Sequence, residues 1–438
     1  MQIKFLCSKT AILSKKASIK NYLQRQGSIK NSIICNSGHK DMAIQKTDST
    51  LETIQTWALY VFAFAMPFSI ALTQIAIGVA ALAWLMRLFW LKTISFERLG
   101  LEWAFLLFVL AALVSTIFST NVPQSVIFLK RHLLIPIVYI VATSIKNRRL
   151  LLYMLFLFAL STALYSVTGI VSYFMDPSLR VRHVHNSMTA GGITMLGALV
   201  GWGCALCWHD RLKWFFLASG VINLFCLILT STRGSWLGFG AGLLIIMFMA
   251  NKKLLLTIPV MVAIVLLLQP AEFSHRVQHM FDPTWRTNAK RIHWWSIGWE
   301  IFKDHPVVGI GDVSTQTMYK QYAPPHESEG VGHFHSNYVH IAVIMGTIGL
   351  IAFLNMMITL MIRLVQRLKT GFIKYSLGWA SVISALSAWV AFNINGFFEW
   401  NYGDQEVITI LWFLIGLGFI TLSDSNNSKE IYAHTWKK

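Results

Sequence analysis

Two histidines one residue apart, His333 and His335, precede Ser336, Asn337 and an apolar run that Gly346 and Gly349 interrupt. Imidazole titrates near neutral pH and can take a proton from an attacking hydroxyl. At the mouth of a membrane-spanning helix such groups add nothing to stability, so their position points to chemistry. His335, at the helix start, is the candidate acid–base residue. Arg233 in STRGSWLGFG and Arg291 in NAKRIHWWSIGWEIFKD add two guanidiniums. Each can grip phosphate oxygens bidentately. A pair of them can stabilise the charge that develops on a diphosphate leaving group, without a metal.

Plainer readings exist for each residue. His335 could serve a loop hydrogen bond, Arg233 could snorkel to the membrane interface, and Arg291 could lie on a solvated helix face. His333 and His335 with His326 and Glu327 could in principle ligate zinc, but the spacing matches no strong zinc pattern. No metal and no cofactor are expected. Cys204 and Cys207 form a C-x-x-C inside an apolar segment and read as packing. Gly309-x-Gly311 is too short for a phosphate loop. Glu399 and Asp404, in NGFFEWNYGDQE, could orient a histidine or an arginine or face water, and the sequence does not decide between these.

The elements that must position these groups are membrane helices. Of 438 residues, 55% are hydrophobic and only 13% charged, against about 25% charged in soluble proteins. Apolar runs near the ~20 residues needed to cross a bilayer recur from Leu51 to Leu422. The expected fold is an all-α integral membrane protein of about twelve transmembrane helices, with a large periplasmic loop between spans nine and ten. The expected spans are 52–69, 72–91, 102–119, 127–145, 149–174, 188–208, 213–230, 234–250, 253–269, 336–362, 374–397 and 405–422. As domains, residues 1–50 read as a basic, disordered cytoplasmic tail and 51–269 as spans one to nine. Residues 270–335 then form the loop, 336–422 spans ten to twelve, and 423–438 a cytoplasmic tail. Met42 is a candidate alternative start.

The formal net charge of +18 would suggest nucleic acid in a soluble protein. Here the cations sit mostly between spans, where they set orientation and meet headgroups. Arg87, Lys92, Lys146, Arg148, Arg211, Lys252, Arg363 and Lys374 mark one side, which the positive-inside rule makes cytoplasmic together with both termini. Against that rule, the opposite face carries Arg180, Arg182, Arg233, Arg276, Arg286, Lys290 and Arg291, together with most histidines. Cations placed there need an anionic ligand. Within the loop, Asn288–Asp304 reads as a helix whose Ile292, Trp295, Trp299 and Phe302 give one apolar face suited to the interface. Gly234, Gly238, Gly240 and Gly242 give the span after Arg233 a thin face for close packing.

His335-Ser336, nine residues, then Gly346-x-x-Gly349 resembles the signature of bacterial O-antigen ligases: His, then Asn, Ser or Gln, nine positions, Gly, two positions, Gly. Arg233-Gly234 is similar to that family's membrane-end arginine, and Arg291 followed by DHPVVGIG to its loop arginine and Gly-x-Gly turn. The likeness runs from about Leu51 to the C-terminus. It implies metal-independent, inverting transfer of a glycan from undecaprenyl diphosphate to a sugar hydroxyl of the lipid A core. The setting would be the periplasmic side of a bacterial inner membrane. His335 would activate or position the hydroxyl, Arg233 and Arg291 would hold the diphosphate, and His333 and Asn337 could support them. Arg180 and Arg182 are helpers on chemical grounds alone. The alternatives are an O-antigen polymerase or protein O-oligosaccharyltransferase of the same superfamily, or a transporter of lipid-linked sugars. A transporter would favour ionisable residues deep within spans, whereas here they cluster at outer ends.

Overall fold

The computed structural model describes residues 42–176, 181, 185–259, 263, 278–279, 282–325 and 331–422. Its longer elements are α1 (residues 42–65), α2 (Ile70–Leu85), α3 (Glu102–Ile117) and the interrupted α4 (Val122–Ser144). They continue as α5 (Arg148–Met175), α6 (Ser187–Cys207), α7 (Lys213–Leu229), α8 (Arg233–Ala250) and α9 (Arg286–Asp304). The last are α10 (Asn337–Thr370), α11 (Leu377–Asn395) and α12 (Gln405–Phe419). Among the described residues there is no strand. Seven helices among them are long and apolar enough to cross a membrane, and α3, α7 and α12 are apolar but shorter. By that length and composition the chain is a multi-pass α-helical membrane protein. Most of the expected ninth span, 253–269, lies outside the described residues.

The described residues form two compact units, one of residues 42–55 with Leu82–Ser95, the other of Thr56–Ala81 with the described residues from Phe96 onward. In the first, residues 42–50 are helix rather than tail. Buried Arg87 holds them, donating to Asp48 at 2.8 Å and to Gln55 and Glu52 at 3.1 and 3.3 Å. A buried guanidinium is tolerable only with such partners.

The second unit is organised on α6 and α11, each 83% buried over its apolar window. α6 packs against α7, α8 and α11, and α11 against α8 and α12. Small residues allow the approach. A Cβ on Gly238 would stand 2.7 Å from the Ala391 carbonyl, and one on Gly242 2.9 Å from that of Ser387, so both glycines of α8 lie against α11. Gly240 faces open space and takes no part in this packing, unlike its sequence neighbours.

α10 is broken at Gly346, where φ is +62° and ψ −163°. A break inside a span frees backbone groups that lipid cannot satisfy. The segment after α9 satisfies them. Ile310 and Gly311 donate to the carbonyls of Val343 and Ile344 at 3.1 and 2.9 Å, while Thr347 and Ile348 donate to Pro306 and Val307 at 2.8 and 3.3 Å. Ser115 of α3 also donates to Ile344 O at 2.7 Å. A Cβ at Gly346 would lie 2.3 Å from Val307 O. Thus Gly346 of the His-x-Gly signature, with the Gly-x-Gly turn, docks a loop onto a broken helix.

Gly346→Ala should therefore lower stability by about 1–3 kcal/mol through both the left-handed backbone and the clash. Gly240→Ala should be neutral or stabilise by up to about 1 kcal/mol. Thermal unfolding of the purified chain in detergent checks both, and equal effects would contradict the distinction.

Candidate functional site

Ser336 caps α10, its hydroxyl accepting from Val339 N, so the chain must turn sharply just before it. His335 makes that turn with φ +45°, a left-handed conformation uncommon outside glycine. The strain aims its imidazole back over the loop after α11. There Nδ1 lies 3.1 Å from both carboxylate oxygens of Glu399. With Nδ1–H donated to Glu399, Nε2 is left as the proton acceptor. Trp294 of α9 stacks on the ring at 4.9 Å and 23°.

Asn337 has a structural part in this. It is buried; its backbone N–H donates to Gly396 O at 2.7 Å, its amide donates to Asn401 Oδ1, and its carbonyl accepts from Tyr402 N at 3.0 Å. These bonds pin residues 396–402 to the start of α10 and so place Glu399 beneath His335.

The arginines come from two other helices. Arg233, first residue of α8, donates to His279 O at 2.9 Å, Thr287 Oγ1 at 2.7 Å and Asn288 Oδ1 at 2.6 Å. It thereby ties the N-terminal end of α8 to the first turn of α9. Arg291 lies one turn further along α9, 3.9 Å from Glu399. Both arginines line a cavity of about 130 Å³ with Lys290, Trp294, His335 and Glu399, and they also line an adjoining chamber of about 200 Å³ among Leu237, Ile292, Trp295 and Phe398. The α9 stripe facing the protein runs through Arg291, Trp294, Gly298 and Ile301. The expected apolar face is a second one. Its Ile292 and Trp299 are 48% and 57% exposed, while Trp295 donates to Phe334 O at 2.8 Å. Two apolar stripes let one helix seat on the bundle and still meet lipid.

Burial would push the Glu399 carboxyl up, but the hydrogen bond from His335 and the electrostatic influence of the neighbouring His335, His333 and Arg291 outweigh it and hold it below the usual carboxylate range. Arg291 is lowered by burial, against which Glu399 acts; a guanidinium remains charged regardless. His333 stands beside His335 at 4.2 Å between ring centroids. Burial first, then the neighbouring His335, lowers it to about 4. At neutral pH it is a neutral hydrogen-bonding group.

His333, His335 and Glu399 also present ligand atoms within 4.8 Å of one another. Two imidazoles and a carboxylate are a chemically sound zinc set. Yet Glu399 is engaged by His335 Nδ1 and faces Arg291, and His333 Nδ1 takes the His335 backbone N–H at 3.4 Å. A cation there would compete with these contacts. Arg180, Arg182, His326 and Glu327 lie outside the described residues.

The structure thus gathers His335, Arg233 and Arg291 from three separated segments, with Glu399 as the partner that the sequence left undecided. Residues 218–354 match the family model described as O-Antigen ligase. That segment is similar to the O-antigen ligase family. The matched segment contains Arg233, Arg291, His333, His335, Asn337, Gly346 and Gly349, whereas Glu399 lies beyond it. No curated protein matches the chain. The family comprises glycosyltransferase-like ligases and polymerases. For such an enzyme the site offers a proton acceptor and a cationic cavity side by side. Lys290 and Trp294 were within reach of sequence reasoning, since they share the Arg291 helix. Glu399 was not, because nothing in its own neighbourhood distinguishes it from a solvated acid.

With its folded pKa below the unfolded 6.5, His333 binds its proton in the unfolded chain first, so its neutral burial costs stability as pH falls from about 6.5 to 4, by up to about 3 kcal/mol. His333→Gln should flatten the fall in thermal midpoint over that window by one proton's worth. An equally steep series in the variant would remove His333 as its source.

Proposed function

We propose that the chain is an O-antigen ligase. It transfers a glycan from undecaprenyl diphosphate to a sugar hydroxyl of the lipid A core at the periplasmic face of a bacterial inner membrane. The observation that carries this is the His335 imidazole, held by Glu399, opening on the same cavity as Arg233, Lys290 and Arg291.

In the proposed step the acceptor hydroxyl oxygen bonds the anomeric carbon of the donor glycan from the face opposite the diphosphate, inverting that centre. The hydroxyl proton passes to His335 Nε2, and Glu399 stabilises the imidazolium. The bond from the anomeric carbon to the phosphate oxygen breaks, and undecaprenyl diphosphate leaves with its electron pair. Its charge is met by Arg233, Arg291 and Lys290, for which Arg233 exchanges neutral oxygen partners for phosphate. The chamber beyond, walled by Leu237, Ile292, Trp295 and Phe398, suits the first isoprene units. Within the family, polymerisation would use the same groups with a second donor glycan as acceptor.

The test is transfer in vitro with purified protein, undecaprenyl-diphosphate glycan and rough lipopolysaccharide in EDTA. Capped lipopolysaccharide is expected from the parent. His335→Ala should reduce the rate roughly 10²–10⁴-fold, and Arg291→Ala roughly 10²–10³-fold. Glu399→Gln, which keeps shape but removes the charge, should lower kcat more than it raises KM. Lengthening of the donor glycan would make the chain a polymerase. Activity abolished by EDTA and restored by zinc would assign His333, His335 and Glu399 to a metal.

A further inference from the structure

On the far side of Glu399 from the arginines lies a second cavity of about 720 Å³, within the range of ligand sites. Glu399 and Met188 line both cavities, and His333 stands in this one as His335 stands in the first. The two differ in charge. The first sets Arg233, Lys290 and Arg291 against a single carboxylate, Glu399. The second sets one guanidinium, Arg131, against Asp312, Glu399, Asp404 and Glu406.

The cation of the second cavity is already committed, since Arg131 Nη1 donates to both oxygens of Asp312 at 2.9 and 2.7 Å. The helix starts in its wall are committed too. Asn186 takes the N–H groups of Met188 and Thr189 at the start of α6, and Asp404 takes that of Val407 at the start of α12. Among the described residues that line it, an incoming anion would find no uncommitted cation. Hydroxyls, by contrast, would find many acceptors and donors. Burial, with Glu406 beside it, pushes Asp404 up to about 7, so this carboxyl can donate as well as accept near neutrality. His340, only 2% exposed, also lines the cavity, and its Nδ1 has no hydrogen-bond partner among the described residues. A buried unpaired ring nitrogen in the wall of a polar cavity indicates a polar ligand.

Resting on the transferase reading above, we propose that this second cavity is the acceptor-sugar subsite, and that its carboxylate wall selects a terminal sugar without phosphate or carboxylate groups. The diphosphate and the acceptor would then be sorted by charge to opposite sides of Glu399, which prevents either from occupying the other's place. Asp404, Glu406 and His340 are the residues that set this preference.

The experiment uses the full chain in detergent with one polyprenyl-diphosphate glycan and two lipid-anchored core oligosaccharides, identical except for a phosphate on the terminal sugar. Transfer to the neutral acceptor should exceed that to the phosphorylated one at least about tenfold, the scale of a desolvated like-charge contact. Asp404→Asn, which retains the helix cap, should raise KM for the neutral acceptor with donor KM unchanged. Glu406→Lys should narrow or reverse the preference. Equal use of both acceptors by the parent, or a change in donor KM alone, would overturn the subsite while leaving the transferase reading intact. Transfer to neither acceptor would overturn both. The unchanged donor KM serves as the check that each variant is folded.

Discussion

A buried carboxylate is expensive unless its neighbours satisfy it, and Glu399 is the point on which the candidate site converges. Its partners come from elsewhere in the chain: His335 from the turn before α10, Arg291 from α9, and His333 from the same turn. Each contact lowers the cost of keeping the charge, and each also constrains where His335 and Arg291 stand. The left-handed backbone of His335 belongs to the same account. That conformation persists because Ser336 caps the helix, Trp294 stacks on the ring and Glu399 holds Nδ1.

The second constraint is the interruption of α10. A span can lose its hydrogen-bond ladder only where protein replaces it. Here residues 306–311 supply both donors and acceptors to the break at Gly346, with Ser115 adding one more bond. The Gly-x-Gly turn follows α9 by only a few residues, so fixing the turn against α10 also fixes the C-terminal end of α9. Gly346 of the signature is therefore linked to Arg291 mechanically. It touches no substrate in the proposed reaction, yet it helps to set the position of the helix that would grip one.

Charge sorting follows from the same geometry. Glu399 forms a common wall between a cationic cavity and a carboxylate-rich one. An ionised residue held between two guanidinium-bearing or carboxylate-bearing chambers can polarise His335 without exposing it to bulk water. Ile292 and Trp299 of α9 are exposed, which suits a site whose proposed substrates are both anchored in lipid.

The sequence by itself determined that the chain is helical and membrane-embedded, because apolar runs of spanning length admit few other solutions. It also determined the residue types at the site. His335, Arg233 and Arg291 stand out since imidazoles and guanidiniums at helix mouths have few structural uses, and the spacing to Gly346 and Gly349 tied them to a family. Tertiary structure decided what one-dimensional spacing cannot encode. It chose Glu399 over any other acid as the partner of His335, moved Asn337 from the site into its scaffold, and turned the Arg291 stripe of α9 inward while a second apolar stripe faced out. Those outcomes depend on contacts between residues dozens of positions apart, such as the 64 separating His335 from Glu399. Local pattern reports which face of a helix is apolar, but only packing decides which partner that face meets.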